Sequence, residues 1–412
     1  MKRSRIDELI MRQEGLPVLD REALERVQLE KLNALLKRER ERGGFYAALP
    51  ERLDALGQLR ELPFTTDEQL AEHGGAMLLC SQSEVERVLS DATSGTTGRA
   101  KRVFYTRGDC EHTVQLFAAG LGEFVFPGSV TMICMPFSGP FGLGELICEA
   151  IERLGARPLR LGTGLSYAEL AGVLERERPD SYVGMAVPLL SMLRVCGRGS
   201  LRRALVSGDA CPETVTAECE KILGSRLFPH YGSREMGLGG AICCEAHEGM
   251  HLRENHVIAE IIGEDGDVLP RGGYGELVIT TIGMEAQPLI RYRTGDYTRI
   301  LPDPCPCGSE VIRLDALRRK GEAGDMAQLD GRMFALPGLV DFVACCDGGG
   351  ISVRALHDGS LTVEGLRSVC PELIRAELRK AAPEDRAMYR GKRRIENTAQ
   401  AYPINASKHK LW

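Results

Sequence analysis

The sequence predicts an α/β protein. A large N-terminal domain with mixed and parallel sheets and a β-rich subdomain precedes a small α+β C-terminal domain. Three features of the 412 residues carry this expectation. Between Val103 and about Leu227, short apolar runs alternate with longer amphipathic ones, the pattern of strand–helix–strand units. After Gly249 the texture changes to strand patterns bounded by Gly, Pro and Asp. From about Ala327, two strand patterns, a helical pattern and a basic stretch form a last block.

Taken in chain order, Asp20 to Arg42 is charged and helical and stops at Gly43-Gly44. Leu62-Pro63-Phe64-Thr65-Thr66 marks a turn. Val130 to Met135 and Arg203 to Ser207 have strand character, and Leu143 to Leu154 and Pro212 to Leu223 helical character, which together predict a largely parallel sheet. His256 to Ile262 and Gly275 to Thr281 are strands of the β-rich part. Pro371 to Ala381 is expected to be a helix ahead of Arg390-Gly391-Lys392-Arg393-Arg394. No repeat or low-complexity segment intervenes.

Composition narrows the function. With 52 basic and 58 acidic side chains the net charge is −6, so no global basic field attracts nucleic acid. The 43% hydrophobic and 27% charged content suits a soluble globular protein of two or three domains and excludes collagen-like, disordered and coiled-coil classes. Met1 to Gly15 is charged and lacks the apolar stretch of a signal peptide. The richest apolar run, Tyr182 to Leu193, is too short to cross a bilayer and contains Gly184 and Pro188. The expectation is a cytoplasmic enzyme with no membrane or nucleic-acid partner, whose fourteen cysteines are reduced thiols or metal ligands.

The strongest local signal is Thr93-Ser94-Gly95-Thr96-Thr97-Gly98-Arg99-Ala100-Lys101. Gly95 and Gly98 let the backbone approach an anion, Ser94, Thr96 and Thr97 offer hydroxyl donors, and Lys101 adds a compact charge. It is not the mononucleotide P-loop, because the four-residue gap and the Gly-Lys-Ser/Thr ending are absent. Two further stretches accompany it: His230-Tyr231-Gly232-Ser233-Arg234-Glu235 and Arg291-Tyr292-Arg293-Thr294-Gly295-Asp296.

In this order and spacing, the three stretches resemble the adenylate-forming superfamily, and within it the phenylacetate–CoA ligase-like branch. Leu62 to Thr66, Cys244 to His251 and Cys305-Pro306-Cys307-Gly308 are similar to further elements of that branch. The resemblance, over about residues 60–395, implies an ATP site. Glu235 would hold Mg²⁺ on the phosphates and Tyr231 would stack on adenine, with Ser207, Gly208 and Asp209 on its other face. Asp296 would bind the ribose hydroxyls, and Gly232 and Ser233 complete the motif. Cys244, His251, Cys305 and Cys307 would form a closed structural Zn²⁺ site, with Cys243 and His247 as rival ligands.

The resemblance also implies a rotating lid, with the N-terminal domain at 1–323, its zinc-bearing β-rich subdomain at about 236–323, and the lid at 324–412. At the hinge, Gly321 to Met326 departs from the family pattern: Glu322 replaces an arginine, which Arg318 or Arg319 would replace in turn, and Gly324 stands at the pivot. Lys392 best matches the lid lysine that approaches the reacting carboxylate, with Lys408 as a rival. The acyl pocket is expected near Met135 to Gly142, including Phe137 and Phe141, and near Gly184-Met185-Ala186.

The implied reaction has two steps. A carboxylate attacks Mg·ATP to give an acyl-adenylate, and coenzyme A then displaces AMP, with Lys392, Glu235 and Lys101 as the catalytic set. Related ligases are often dimers, but the sequence itself does not decide between a monomer and a homodimer. Two other readings remain open: transfer of the acyl group to a carrier-protein thiol or an amine, and a non-catalytic nucleotide- or zinc-binding paralogue.

Overall fold

The structure is a computed structural model and describes residues 3–91, 101–319, 322–347, 349–389 and 391–397. The chain divides into two compact units, neither of them continuous in sequence. One comprises the residues up to Phe124 with Ser138–Leu154 and His230–Arg318; the other comprises Val125–Phe137, Gly155–Pro229 and the residues from Arg319 on. The last of the three passages from the first unit to the second is at Arg318/Arg319, a few residues before Gly324.

In the first unit, helices Arg5–Glu14 and Arg21–Arg42 start where Ser4 and Asp20 accept backbone N–H groups, and stop at Gly15 and Gly43 in the left-handed conformation. Leu32, Leu35 and Leu36 pack with Leu59, Ile258 and Ile290. Strands Val257–Ile262, Gly275–Thr281 and Tyr292–Thr298 form an antiparallel sheet, and the middle strand is buried at every position. Ala241–Cys243, Met250–Leu252 and Arg313–Leu314 add a second antiparallel set. This is the β-rich part that the sequence texture after Gly249 predicts.

The second unit is built on parallel strands in the spatial order Arg157–Arg160, Val130–Cys134, Ser181–Gly184, Arg203–Val206 and the first two residues of Phe228–Tyr231. Helices Tyr167–Glu177, Ala186–Cys196 and Glu213–Leu223 connect them. Beyond Arg319, strands Leu339–Asp347 and Gly350–His357 are antiparallel, and Leu373–Lys380 and Glu396–Asn397 join them in parallel.

One expectation is corrected here. Leu373–Lys380 is a strand rather than part of a helix over Pro371 to Ala381, and the helix lies at Val363–Val369. Leu, Ala, Glu, Arg and Lys favour a helix, but pairing along Gly350–His357 overrides that preference. Met326, Leu329, Phe334 and Phe342 share one apolar core with Leu189, Leu193 and Val215, so the C-terminal segment and the helices beside the parallel sheet are packed together. Each such fully buried side chain contributes about 1.5–3 kcal/mol.

Candidate active site

Lys101 is the first residue of strand Lys101–Thr106, which pairs antiparallel with Val85–Asp91. Its Nζ lies 2.6 Å from Glu235 Oε1 and 3.0 Å from Asp67 Oδ1, and donates to the Tyr292 hydroxyl at 3.1 Å. Glu235 sits in the short 3₁₀ turn Arg234–Met236 and is buried. Burial alone raises its pKa, but the charge and hydrogen bond of Lys101 outweigh that and hold the carboxyl below its usual range. Burial likewise works against the Lys101 ammonium, and the Glu235 and Asp67 carboxylates reverse it, keeping the lysine charged. The cluster therefore holds an ionised hard-oxygen donor beside a cation, a chemistry that fits Mg²⁺ and phosphate.

Asp67 was not among the residues singled out from the sequence. Thr65 exchanges backbone hydrogen bonds with Arg291 and Arg293, and Phe64 lies 4.1 Å under the Arg291 guanidinium. Thr66 then caps helix Asp67–His73, which places Asp67 in its first turn. The Leu62–Thr66 stretch is thus a strap that delivers a carboxylate, and a turn signal carries no hint of that.

Tyr231 donates from its hydroxyl to Asp296 Oδ2 at 2.8 Å, and the Asp296 N–H is held by Thr294 Oγ1 at 3.1 Å. Gly232 is required sterically, because a Cβ there would lie 2.4 Å from the Leu238 carbonyl oxygen. Ser233 precedes the Glu235 turn, and its carbonyl accepts from Leu238 N–H at 2.9 Å. These residues and the Lys101 cluster belong to one unit.

Ser207, Gly208 and Asp209 belong to the other unit, just after strand Arg203–Val206. Gly208 has φ +88°, a conformation that disfavours a side chain. Asp209 accepts from Ala210 N–H at 2.9 Å and Arg393 N–H at 2.8 Å. Burial raises its pKa, and these donors with the charges of Arg393 and Lys392 oppose the shift. Lys392 is exposed. In the expected acyl region, Phe141 has φ 59° and Gly184 packs against the Tyr182 hydroxyl. Ser94, Gly95, Thr96, Thr97, Gly98 and Lys408 lie outside the described residues.

The ligand atoms of Cys244, His251, Cys305 and Cys307 all lie within 4.8 Å of one another, and all four residues are buried. Cys244 Sγ is 3.8 Å from Cys305 Sγ, and Cys307 Sγ is 3.6 Å from His251 Nε2. A tetrahedron with zinc–sulfur bonds of about 2.3 Å and a zinc–nitrogen bond of about 2.0 Å has edges of roughly 3.8 and 3.5 Å, so the donor set fits. The rivals fall away: Cys243 Sγ faces His247 Nδ1 at 3.9 Å, and neither belongs to the cluster. His251 is pushed up to about 9, burial being outweighed by the Cys305 and Cys307 sulfurs. Buried Asp7, which accepts from Ser309 Oγ at 2.5 Å, adds a carboxylate near His251 that the sequence reading missed.

The profile of the AMP-binding enzyme family matches residues 89–285. The chain is 30% identical over 345 residues to the phenylacetate-coenzyme A ligase of Thermus thermophilus, across 78% of this chain and 75% of that protein. The chain belongs to the phenylacetate–CoA ligase family of AMP-binding enzymes. Members of this family are AMP-forming acid–CoA ligases. The Pseudomonas putida phenylacetate-coenzyme A ligase is 31% identical across 68% of this chain and 67% of its own length. A solved 2-hydroxyisobutyryl-CoA ligase in its postadenylation state overlays with a TM-score of 0.75 at 19% identity, covering 93% of this chain and 91% of that one, a likeness of fold. No helix among the described residues is long and apolar enough to cross a membrane.

Proposed function

We propose that this chain activates an aryl or other apolar carboxylic acid with ATP and passes the acyl group to coenzyme A. The observation that carries the reading is the buried Lys101–Glu235 pair, an ammonium against an ionised carboxylate, groups whose chemistry suits phosphate and Mg²⁺. Lys101 meets the phosphates, and Glu235 is the residue that holds Mg²⁺. Mg²⁺ held there would supply positive charge against the phosphate oxygens. Asp296, oriented by Thr294 and Tyr231, receives the ribose hydroxyls, and Tyr231 stacks on the adenine. Lys392 offsets the charge that develops between the carboxylate and the α-phosphate. A C-terminal lid, residues 324–412, then turns about Gly324 to admit the thiol.

The zinc reading rests on the donor geometry: Cys244, His251, Cys305 and Cys307 hold Zn²⁺ in a closed site that ties Met250–Leu252 to the 305–307 knuckle. Bound zinc supplies a cross-link and no chemistry.

The test is acid-dependent ATP–pyrophosphate exchange over a panel of aryl and aliphatic acids, followed by mass spectrometry of the acyl product. Exchange with an aryl acid and acyl-CoA formation are expected. Loading of a carrier protein in place of coenzyme A would replace the acceptor, and no exchange with any acid would leave a non-catalytic paralogue. Lys392→Ala should depress exchange by about a hundredfold or more; if Lys408→Ala alone does so, the lid lysine is Lys408.

A further inference from the structure

The second unit contains a buried ionic cage that the reaction as described leaves unused. Its centre is the Arg393 guanidinium, whose side chain is 4% exposed. Nε donates to both oxygens of Asp330 at 3.0 and 3.1 Å, and Nη2 to Asp330 Oδ1 at 2.9 Å. Nη1 donates to Asp341 Oδ1 at 2.9 Å, and Nη2 reaches the Phe342 carbonyl at 3.0 Å. The rings of Tyr389 and Phe342 lie 4.7 and 4.8 Å from the guanidinium carbon. Burial of this cation is expensive, and two carboxylates, one carbonyl and two aromatic faces offset it.

Two details tie the cage to Lys392. Asp341 Oδ2 also accepts from Met388 N–H at 2.7 Å, so one carboxylate grips the chain on both sides of Lys392. The Arg393 N–H donates to Asp209 Oδ2 at 2.8 Å, immediately after Lys392. Among the described residues, the side chain of Arg393 hydrogen-bonds to residues beyond Arg319, whereas its main chain binds Asp209.

We propose that Arg393 is a positioning residue for acid activation: its buried side chain fixes the stretch that carries Lys392, and its N–H sets that stretch against Asp209. This rests on the reading of Lys392 as the activating lysine. The guanidinium contacts belong to the C-terminal segment and travel with it, and the Asp209 contact is the one that opens. Arg393 therefore acts on activation and not on thiol transfer, a division that a purely stabilising ion cluster would not produce.

The experiment measures the two half-reactions separately in the full-length protein: pyrophosphate exchange for activation, and conversion of supplied acyl-adenylate by coenzyme A for transfer. Arg393→Met combined with Asp330→Asn removes the cation and one of its anions together, avoiding two stranded carboxylates. Exchange is expected to fall by about ten- to a hundredfold, the loss typical of a reacting group displaced by about an ångström, while transfer changes less than about twofold. Arg393→Lys keeps the charge without the forked geometry, gives the same division at smaller amplitude, and serves as the readout if the double variant fails to fold. Equal loss in both half-reactions, or no loss in either, overturns the proposal. Lys392→Ala is run alongside. If it leaves exchange intact, the lysine assignment and this inference fall together; if it abolishes exchange while the Arg393 variants spare it, this inference falls alone.

Discussion

Replacing Lys101 with methionine tests the site at its centre. At 2.6 Å from Glu235, the pair attracts by about 6 kcal/mol at an effective dielectric of roughly 20. Desolvation consumes part of that, and loss of one partner of a buried pair costs about 3–5 kcal/mol. Asp67 contributes less, because its side chain is 60% exposed. Without Lys101, burial dominates Glu235 and lifts its folded pKa above the unfolded value of about 4.3. The penalty should therefore be small below pH 4.3 and grow as pH rises through the new, higher pKa. Lys101→Met/Glu235→Gln removes the stranded charge and should recover most of the stability at high pH. Urea unfolding of the four proteins of this double-mutant cycle at pH 5 and pH 8 measures it. An equal loss for Lys101→Met at both pH values, or no rescue by Glu235→Gln, would refute the account of the site.

Protein prepared without chelator should carry about one zinc per chain by elemental analysis, and Cys305→Ser should lose it and lower the melting temperature by roughly 10 °C. Asp296→Asn should raise the KM for ATP about tenfold or more with little change in melting temperature, since it weakens a charged acceptor without opening the core. Burial holds the imidazole of His112 down to about 4 and that of His230 to about 3, both neutral in the folded protein. Each unfolds to a group titrating near 6.5, so stability present above pH 6.5 should fall as the pH drops toward 4. The loss is about 1.4 kcal/mol per pH unit for each histidine; a urea midpoint that stays flat between pH 7 and pH 5 would contradict this.

The fold class was legible because strands and helices between Val130 and Leu223 differ in hydrophobic period, and period survives in a linear string. Cys305-Pro306-Cys307 and the Lys101, Glu235 and Asp296 motifs stood out through their resemblance to a family whose motifs recur in a fixed order, since spacing alone did not single them out. The misread segment, Leu373–Lys380, has a helix former's composition and becomes a strand through pairing with Gly350–His357, which lies outside any local window. Asp67, Asp7 and the Arg393 cage were illegible for the same reason: each is an ordinary acidic or basic side chain whose partner lies far along the chain.

By itself, the sequence determined the alternation of elements, the hydroxyl-, glycine- and cysteine-bearing stretches and the family to which they belong. Folding decided which of the candidate sulfurs converge, which carboxylate faces Lys101, and that the residues from Arg319 on share a core with helices Ala186–Cys196 and Glu213–Leu223. Periodicity and short-range spacing are set by bonds along the chain. Long-range partnership is set by burial, which penalises any charge left unpaired and so selects contacts that no stretch of sequence announces.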